Sequence, residues 1–402
     1  MRILVYCINF FPELVSTGKY TGEMATWLAA DGHEVRAITA NPYYPDWKVW
    51  KEFPNWKYSS RTVGEVQVTH CPLYVPARPT ALKRILHFIS FSFTSSWAVL
   101  AQWRWRPELI IFVAPTMMCA PQVILLKHLT GAKAVMHVQD FEVDLLFGLN
   151  FFKSVFTRRL LLTIEGFLLR RFDRISTISQ GMLERARKKG VRESQLRFFP
   201  NWSDVQRFSH AKRSAELLTQ LGLDPLKPLV LYSGNMGEKQ GLDLVVEAAA
   251  RMALSSNAQF LFVGNGADKD RLIGLVREKR LANVGFADLL PNETFPTLLA
   301  SADCHLVVQK RGAADVVLPS KLTNILAAGG NAVITADAHT TLGELCARHP
   351  GIAVLSEPES VEALVAGILI ALKNPCPNQV AVKYAKAFLD KDQILVRFFA
   401  EL

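Results

Sequence analysis

The chain has 402 residues, of which half are hydrophobic and a fifth are charged. This length suits two domains of ordinary size, and the composition excludes a disordered or fibrous protein. The formal net charge of +10 suggests an anionic partner: nucleic acid, lipid headgroups or phosphorylated small molecules. Nucleic acid is the weakest of the three, because the sequence has no zinc finger, no RNP-like aromatic motif and no long Lys/Arg run.

The cysteines and the N-terminal sequence indicate the cellular compartment in which the protein resides. Six cysteines are scattered without a C-x-x-C pair, which predicts reduced thiols and neither a disulfide framework nor a zinc site. The N-terminal MRILVYCINF is typical of a first core strand and lacks the features of a signal peptide. We therefore expect a cytoplasmic protein.

Short β-branched runs alternate with helix-length stretches through the first half. The predicted strands are RILVYCI, HEVRAITA, ELIIFVAP, AKAVMHV and DRISTIS, with a helix near residues 20–31 after the first strand. Strand runs this apolar are typical of parallel sheets that are buried on both faces.

Two helical segments in this half combine apolar and basic residues. Residues 85–101 form a run of 17, too short for a membrane span of about 20 residues. Residues 151–172 place an apolar face beside a set of arginines: Phe152, Val155, Phe156, Leu160, Ile164 and Phe167, near Arg158, Arg159, Arg170 and Arg171. Both segments could be interfacial membrane helices, or core-facing helices with a solvated basic side.

The second half repeats the alternation. Its predicted strands are PLVLYSG, AQFLFVG, NVGFA, CHLVVQ, NAVIT and IAVL. Two series of βα units predict an α/β protein with two doubly wound, parallel-sheet domains. The seam is expected after FFPNWSD, residues 198–204, where the chain becomes polar and rich in turns. Ligands of such sheets bind at the carboxyl ends of the strands, so we expect a central cleft between the domains.

Several motifs follow the predicted strands. In YSGNMGEKQG, Gly234 and Gly237 would allow close approach of a ligand and Lys239 could contact phosphate, although a plain strand-to-helix turn is equally consistent. FVGNGAD is better explained as a tight turn. In FPELVSTGKYTGEM, Gly18 precedes a helix and belongs either to a diphosphate-covering loop or to a simple linker.

HVQDFEVD carries a histidine and an aspartate at the end of a buried strand. His137 and Asp140 could act as general base or hydroxyl-binding groups, or as a core histidine and a helix cap. LPSKLTNILAAGGNAVIT begins a helix with Ser320 and Lys321, where unpaired N–H groups suit an anion. No cluster has metal-ligand spacing, so we expect no metal.

In this order, HEVRAITANPYYP, FFPNWSDVQRF, YSGNMGEKQGLD and LPSKLTNILAAGGNAVIT resemble a retaining glycosyltransferase of family 4 over essentially the whole chain. The branch it resembles most contains fucosyltransferases of the colanic-acid type. The resemblance implies a GT-B fold: an acceptor-binding Rossmann-like domain at 1–204, a nucleotide-sugar-binding one at 205–382, and a C-terminal helix at 383–402 that returns to the first domain.

The resemblance also implies a donor site without a metal. Ser320 and Lys321 would hold the donor diphosphate, with Lys239 and the Gly234–Gly237 loop, including Asn235 and Gln240, opposite them. Gly18 would belong to the diphosphate loop, and Asp140 and His137 would contact the acceptor or the sugar. Asn324 and Val316 stand where many members carry a glutamate pair, and Asn235 where many carry arginine. Asparagine at 324 could hydrogen-bond a ribose hydroxyl more weakly than a carboxylate would.

We expect from this resemblance the transfer of fucose from GDP-fucose to a polyprenyl-diphosphate-linked acceptor, by a protein bound peripherally to the anionic inner-membrane surface. Two alternatives stay open: a UDP-linked donor sugar, and a non-catalytic GT-B scaffold subunit of a polysaccharide assembly complex. No cofactor is expected beyond the nucleotide-sugar substrate, and the sequence does not fix the oligomeric state.

Overall fold

The computed structural model describes residues 1–13, 16–54, 56–114, 117–141, 155–311 and 319–402 of the chain. These residues form two compact units. The first contains Met1–Pro200 together with the C-terminal residues Arg397–Leu402, and the second contains Asn201–Val396. Each unit has its own sheet and its own buried core.

An eight-stranded sheet forms the centre of the first unit, in the order β3-β4-β2-β1-β5-β6-β7-β8. The strands are β1 (Arg2–Cys7), β2 (Glu34–Ala40), β3 (Ser59–Val63), β4 (Val66–Cys71), β5 (Leu109–Ala114), β6 (Lys133–Val138), β7 (Arg174–Thr177) and β8 (Leu196–Phe198). All neighbours are parallel except β3 and β4, which form a hairpin. All six residues of β5 are buried, as expected of a parallel strand covered on both faces.

Helices cover both faces of this sheet. They are α1 (Ser16–Ala30), α2 (Ala81–Leu100), α3 (Ala120–Thr130), α4 (Val155–Leu169) and α5 (Gln180–Lys188). With the right-handed crossovers that are the rule for parallel strands, this strand order puts the helices that follow β4, β5, β6 and β7 on one face and α1 on the other. On the shared face α2 contacts α3, where the Gln122 side chain donates to the Ser92 carbonyl at 3.3 Å.

The outer faces of α2 and α4 are exposed and apolar. On α2 they comprise Leu82, Leu86, Ile89, Phe93 and Trp97, and on α4 Phe156, Leu160, Ile164 and Phe167. Phe152 lies outside the described residues, and the side chains of Val155 and Arg158 are not described. The core-facing interpretation is therefore wrong for the described apolar residues named in 151–172, whereas α2 also buries Phe91 and Val99 in the core. In α4 the core contacts come from Glu165 and Leu169, of which Glu165 pairs with Lys189.

A six-stranded parallel sheet forms the second unit, in the order β11-β10-β9-β12-β13-β14. The strands are β9 (Leu229–Ser233), β10 (Gln259–Val263), β11 (Val284–Ala287), β12 (Cys304–Val307), β13 (Ala332–Thr335) and β14 (Val354–Ser356). The helices are α6 (Val205–Ser209), α7 (Ala215–Gln220), α8 (Asp243–Met252), α9 (Lys269–Glu278), α10 (Phe295–Ser301), α11 (Ser320–Ala327), α12 (Thr341–Arg348), α13 (Val361–Ala371), α14 (Gln379–Phe388) and α15 (Lys391–Ala400).

The C-terminal end of α15 belongs to the first unit. There the Phe398 ring stacks on Phe199, with ring centroids 3.8 Å apart, and Phe399 stacks on Trp27 of α1. The predicted α/β class with two doubly wound sheets and a returning C-terminal helix is confirmed. Among the described helices, none combines the length and the hydropathy needed to cross a bilayer.

Candidate functional site

Two glycine-rich loops at the carboxyl ends of β9 and β10 are built against each other. The Gly234 N–H donates to the Val263 carbonyl at 2.9 Å, and the Met236 N–H donates to the Asn265 carbonyl at 2.9 Å. Gly264 has φ +140, and a Cβ there would lie 2.1 Å from the Gly234 carbonyl oxygen. FVGNGAD is thus a packing motif that gives the Gly234 loop its shape, as the tight-turn interpretation predicts.

Lys321 brings a charge to that loop. Its Nζ donates to the Tyr232 hydroxyl at 3.1 Å and lies 4.2 Å from the centre of the Tyr232 ring. A Cβ on Gly234 would be 3.2 Å from this Nζ, so the glycine leaves room for the ammonium. In the part of the chain that the structure describes, no carboxylate forms an ion pair with Lys321. Burial without such a partner lowers the pKa of Lys321 to about 8.

The remaining predicted donor residues of this loop have different surroundings. The Gln240 side chain accepts from the Gly237 N–H at 3.2 Å, so it closes the turn. The Asn235 carbonyl accepts from the Tyr232 hydroxyl at 2.6 Å, while its side chain is exposed. Lys239 is exposed, and its carbonyl accepts from the Lys310 N–H at 3.0 Å. Of these three predicted donor residues, Asn235 and Lys239 have exposed side chains that a ligand could contact.

Helix α11 begins at the other predicted part of the donor site. Ser320 is exposed at its first turn, and Pro319 before it provides no side-chain cap. Asn324, one turn later, has its Oδ1 engaged, because Ser203 Oγ donates to it at 2.9 Å. The Asn324 side chain could still contact a ribose through its amide nitrogen, which donates, or through the second lone pair of Oδ1, which accepts. Val316 lies outside the described residues.

His137 has the surroundings of a core histidine in the first unit. Its Nδ1 lies 3.0 Å from Ser176 Oγ, its Nε2 lies 2.9 Å from Gln139 Nε2, and its ring packs edge-on against Phe199. Burial lowers the pKa of His137 to about 3, so the imidazole is neutral. With both nitrogens engaged inside the core, this geometry favours a structural role over the general-base interpretation.

Asp140, in contrast to the buried His137, has an exposed side chain. It lies just beyond the carboxyl end of β6. The surrounding protein still desolvates the carboxyl partly and raises its pKa above the ordinary value. Such a carboxylate can accept hydrogen bonds from sugar hydroxyls.

Gly18 lies in the first turn of α1, not ahead of the helix as predicted, and packs against the backbone of Glu13, a buried residue absent from the predicted site. A Cβ on Gly18 would lie 2.8 Å from the Glu13 carbonyl oxygen. The Glu13 carboxylate accepts from the backbone N–H groups of Tyr43 and Tyr44, both at 2.7 Å, and from Asn9 at 2.8 Å. Burial raises the pKa of Glu13. The sequence feature that could have identified Glu13 is the presence of an acidic residue within the apolar run FFPEL.

The described residues contain no group of three or more His, Cys, Asp or Glu side chains able to hold a metal ion. Two cationic groups of the second unit that could meet an anion are Lys321, beside the Gly234 loop, and the exposed Lys239. A charged ammonium aligned with a helix start and a glycine loop can neutralise a diphosphate.

Known proteins share this architecture and sequence. Residues 17–202 match the family described as Glycosyl transferase 4-like domain, and residues 214–388 match Glycosyl transferases group 1. Among solved structures, sucrose-phosphate synthase from Thermosynechococcus elongatus has a TM-score of 0.74 at 17% identity, covering 100% of this chain and 98% of that one. HepE from Anabaena, in complex with UDP, has a TM-score of 0.70 at 14% identity, with 100% and 99% coverage. The fold is that of the GT-B glycosyltransferases.

A relative with high sequence identity places the chain in a narrower group of these glycosyltransferases. The chain is 51% identical, over the full length of both proteins, to an Escherichia coli (strain K12) protein whose name assigns it to colanic acid biosynthesis as the glycosyl transferase WcaI. The chain therefore belongs to the WcaI-like branch of the GT-B glycosyltransferases.

Proposed function

We propose that the protein transfers a fucosyl residue from GDP-fucose, with retention of configuration, to a polyprenyl-diphosphate-linked saccharide in the biosynthesis of a colanic-acid-like exopolysaccharide. The observation that carries the proposal is Lys321, a desolvated ammonium beside the Gly234 loop that has no carboxylate partner among the described residues. A buried cation without a counter-charge is costly unless an anion binds. The donor diphosphate supplies that anion.

The proposed chemistry needs no nucleophile from the protein. The acceptor hydroxyl attacks the anomeric carbon from the face that the diphosphate leaves, the bond from that carbon to the diphosphate oxygen breaks, and the acceptor proton passes to the departing diphosphate. Lys321 and Lys239 would stabilise the charge that develops on the leaving group, in place of a divalent metal. Asp140, exposed and acidic, would orient sugar hydroxyls.

The exposed faces of α2 and α4 support a membrane-bound acceptor. Phe93 and Trp97 are 82% and 79% exposed, and Phe156 on α4 is 76% exposed. Apolar side chains this exposed, repeated along two helices of one sheet face, are typical of an interaction surface. Basic side chains accompany them and are also exposed: Lys83, Arg84, Arg104, Arg106, Arg159, Arg170 and Arg171.

Aromatic residues extend this surface beside α2. The exposed Tyr58 donates to the Thr94 carbonyl at 2.8 Å, and the Tyr74 N–H donates to Ser90 Oγ at 2.8 Å. Tyrosine and tryptophan prefer the headgroup level of a bilayer, and arginine and lysine prefer anionic lipid. A peripheral position on the cytoplasmic side of the inner membrane would bring the enzyme to a lipid-linked acceptor.

The first experiment is thermal stabilisation of the purified protein by a panel of sugar nucleotides and free nucleotides, without added metal. Stabilisation by GDP and GDP-fucose alone would support the proposed donor. Stabilisation by UDP compounds would support a glycosyltransferase with a UDP-linked donor sugar instead of GDP-fucose. The UDP bound to the structurally similar HepE favours this alternative donor. No stabilisation of folded protein by any nucleotide would favour the scaffold.

A further inference from the structure

The segment after β2 is fixed in an unusual conformation at the carboxyl edge of the first sheet. The buried Glu13 carboxylate holds the backbone N–H groups of Tyr43 and Tyr44, and the Asn41 side chain donates to the Pro54 carbonyl at 3.0 Å. Carboxyl edges of parallel strands are where α/β proteins bind ligands. The buried Glu13 carboxylate therefore holds in place a loop at the edge of the sheet where α/β proteins bind ligands.

This loop displays a strained aromatic residue. Trp47 has φ +51, in the left-handed region that a bulky aromatic side chain rarely adopts. Its ring is half-buried and packs against Tyr43 and His87, with centroid distances of 5.6 and 5.4 Å. Strain of this kind persists where surrounding structure enforces it and is concentrated at binding sites.

Two polar groups of α2 lie beside Trp47. The exposed Arg84 guanidinium lies 5.4 Å from the indole ring, and no carboxylate among the described residues forms an ion pair with it. His87 is completely buried; its Nδ1 lies 2.6 Å from the Tyr74 carbonyl, so this nitrogen carries the hydrogen. Its Nε2 is then an acceptor, and it has no partner within the described part of the chain.

These groups match the chemistry of a phosphorylated saccharide. An indole face packs against the C–H face of a pyranose, a guanidinium binds phosphate oxygens in bidentate fashion, and an unpaired imidazole nitrogen accepts a sugar hydroxyl. Several buried side-chain atoms of the described residues lack a partner, and the His87 Nε2 belongs to the ring that packs against Trp47.

We propose that Trp47, Arg84 and His87 form the acceptor subsite, with Trp47 stacked on the acceptor sugar and Arg84 paired with its phosphate. The His87 Nε2 would accept a hydroxyl hydrogen from the same sugar after a small shift of the Trp47 ring. This inference rests on the proposed glycosyl transfer and names the residues that select its acceptor.

The test measures equilibrium binding of a farnesyl-diphosphate-linked hexose to the full chain without donor, for the wild type, Trp47→Ala, Trp47→Phe and Arg84→Ala. We expect Trp47→Ala and Arg84→Ala each to weaken binding at least tenfold, and Trp47→Phe to restore most of it. Trp105→Ala is the matched control, because Trp105 also packs with an arginine, Arg36, at 4.4 Å in the same unit. Equal affinities in all these variants would overturn the subsite.

Two further arms identify what is bound. Free hexose 1-phosphate should compete if the sugar phosphate is recognised, and farnesyl diphosphate without sugar should be insensitive to Trp47→Ala. If the wild type binds the lipid-linked hexose and Trp47→Ala does not, yet no sugar nucleotide glycosylates it, the proposed function fails while the subsite stands. If transfer occurs and the Trp47→Ala variant has an unchanged acceptor KM, the subsite fails while the function stands. Thermal melting of each variant verifies folding.

Discussion

The ammonium of Lys321 donates to the hydroxyl of Tyr232 at 3.1 Å and lies over the ring of the same residue, 4.2 Å from its centre. The Tyr232 hydroxyl in turn donates to the Asn235 carbonyl at 2.6 Å. The charge is thus held between an aromatic face and a loop shaped by glycine, and it is desolvated. This arrangement orients the ammonium before an anion arrives, which is how electrostatic catalysis avoids reorganisation.

Replacing Lys321 by methionine should separate catalysis from folding. We expect the transfer rate to fall about 100-fold or more, the loss typical of removing one group that stabilises developing charge. The melting temperature should stay the same or rise, because a desolvated charge is replaced by an apolar chain of similar length. Steady-state transfer assays and thermal melting measure the two effects.

Lys279→Met provides the control for this variant. Lys279 lies in the same unit and pairs with Glu247 at 2.8 Å on the surface. Its loss should change the transfer rate by less than twofold. A Lys321→Met enzyme with wild-type turnover would show that the leaving group is stabilised elsewhere.

The lowered pKa of Lys321 predicts opposite pH trends for donor binding and for stability. Donor diphosphate binds the protonated form, so GDP affinity should fall as pH rises above about 8, by up to tenfold per pH unit. The folded pKa lies below the ordinary value of 10.5, so between about 8 and 10.5 the unfolded chain holds the extra proton. The contribution of Lys321 to the free energy of unfolding should therefore rise with pH across that window.

Titration of GDP from pH 7 to 9.5, with melting curves at the same pH values, measures both trends. Lys321→Met should remove the pH dependence of GDP affinity in this window. It should also remove the part of the stability change that the wild type shows there. Parallel affinity curves for the two proteins would assign the titration to another group.

Gly264 should be required for the shape of the donor loop. With φ +140 and a Cβ position 2.1 Å from the Gly234 carbonyl oxygen, Gly264→Ala must displace the loop that carries Gly234. We expect a melting temperature several degrees lower and a loss of GDP binding of tenfold or more. Gly274→Ala is the matched control: it lies in α9 with open space around its Cβ position. It should be neutral or stabilising by about 0.5–1 kcal/mol, because alanine favours helix.

Local sequence patterns predicted the parallel strands, because short continuous apolar, β-branched runs are typical of strands that are buried on both faces. The β3–β4 hairpin escaped prediction, since SSRTV in β3 is largely exposed and its pairing with β4 depends on the turn at Gly64. The YSGNMGEKQG motif and Ser320–Lys321 could be recognised from the sequence. Glycines after a strand allow close approach of a ligand, and lysines can contact its phosphate groups. Family resemblance supplied their assignment to a donor diphosphate.

Relationships between distant residues could not be predicted. Ser203 hydrogen-bonds to Asn324, which is far away in the sequence. The Glu13 carboxylate likewise accepts hydrogen bonds from the backbone N–H groups of Tyr43 and Tyr44. Only the tertiary fold brings these segments together. The sequence left His137 open between catalysis and core packing. Only its neighbours Ser176 and Gln139, which engage both nitrogens, favour the core interpretation.

The exposed face of α2 should be needed for membrane binding. Phe93 and Trp97 lie one turn apart on this face, and both are about four-fifths exposed, so the double variant Phe93→Asp/Trp97→Asp should fold normally. It should lose sedimentation with vesicles that contain phosphatidylglycerol, because it removes apolar insertion and adds negative charge. Transfer to a water-soluble acceptor analogue should be retained.

Leu254→Asp is the control for this variant, since Leu254 is 93% exposed and belongs to the second unit, whereas α2 and α4 belong to the first. It should leave vesicle binding unchanged. Wild-type binding should weaken with added salt, because exposed arginines near α2 and α4 contribute a screened attraction to anionic lipid. If the double variant binds vesicles as the wild type does, the outer face of α2 is not the membrane contact. If it binds normally and still loses transfer to a lipid-linked acceptor, that face instead contacts the acceptor lipid directly.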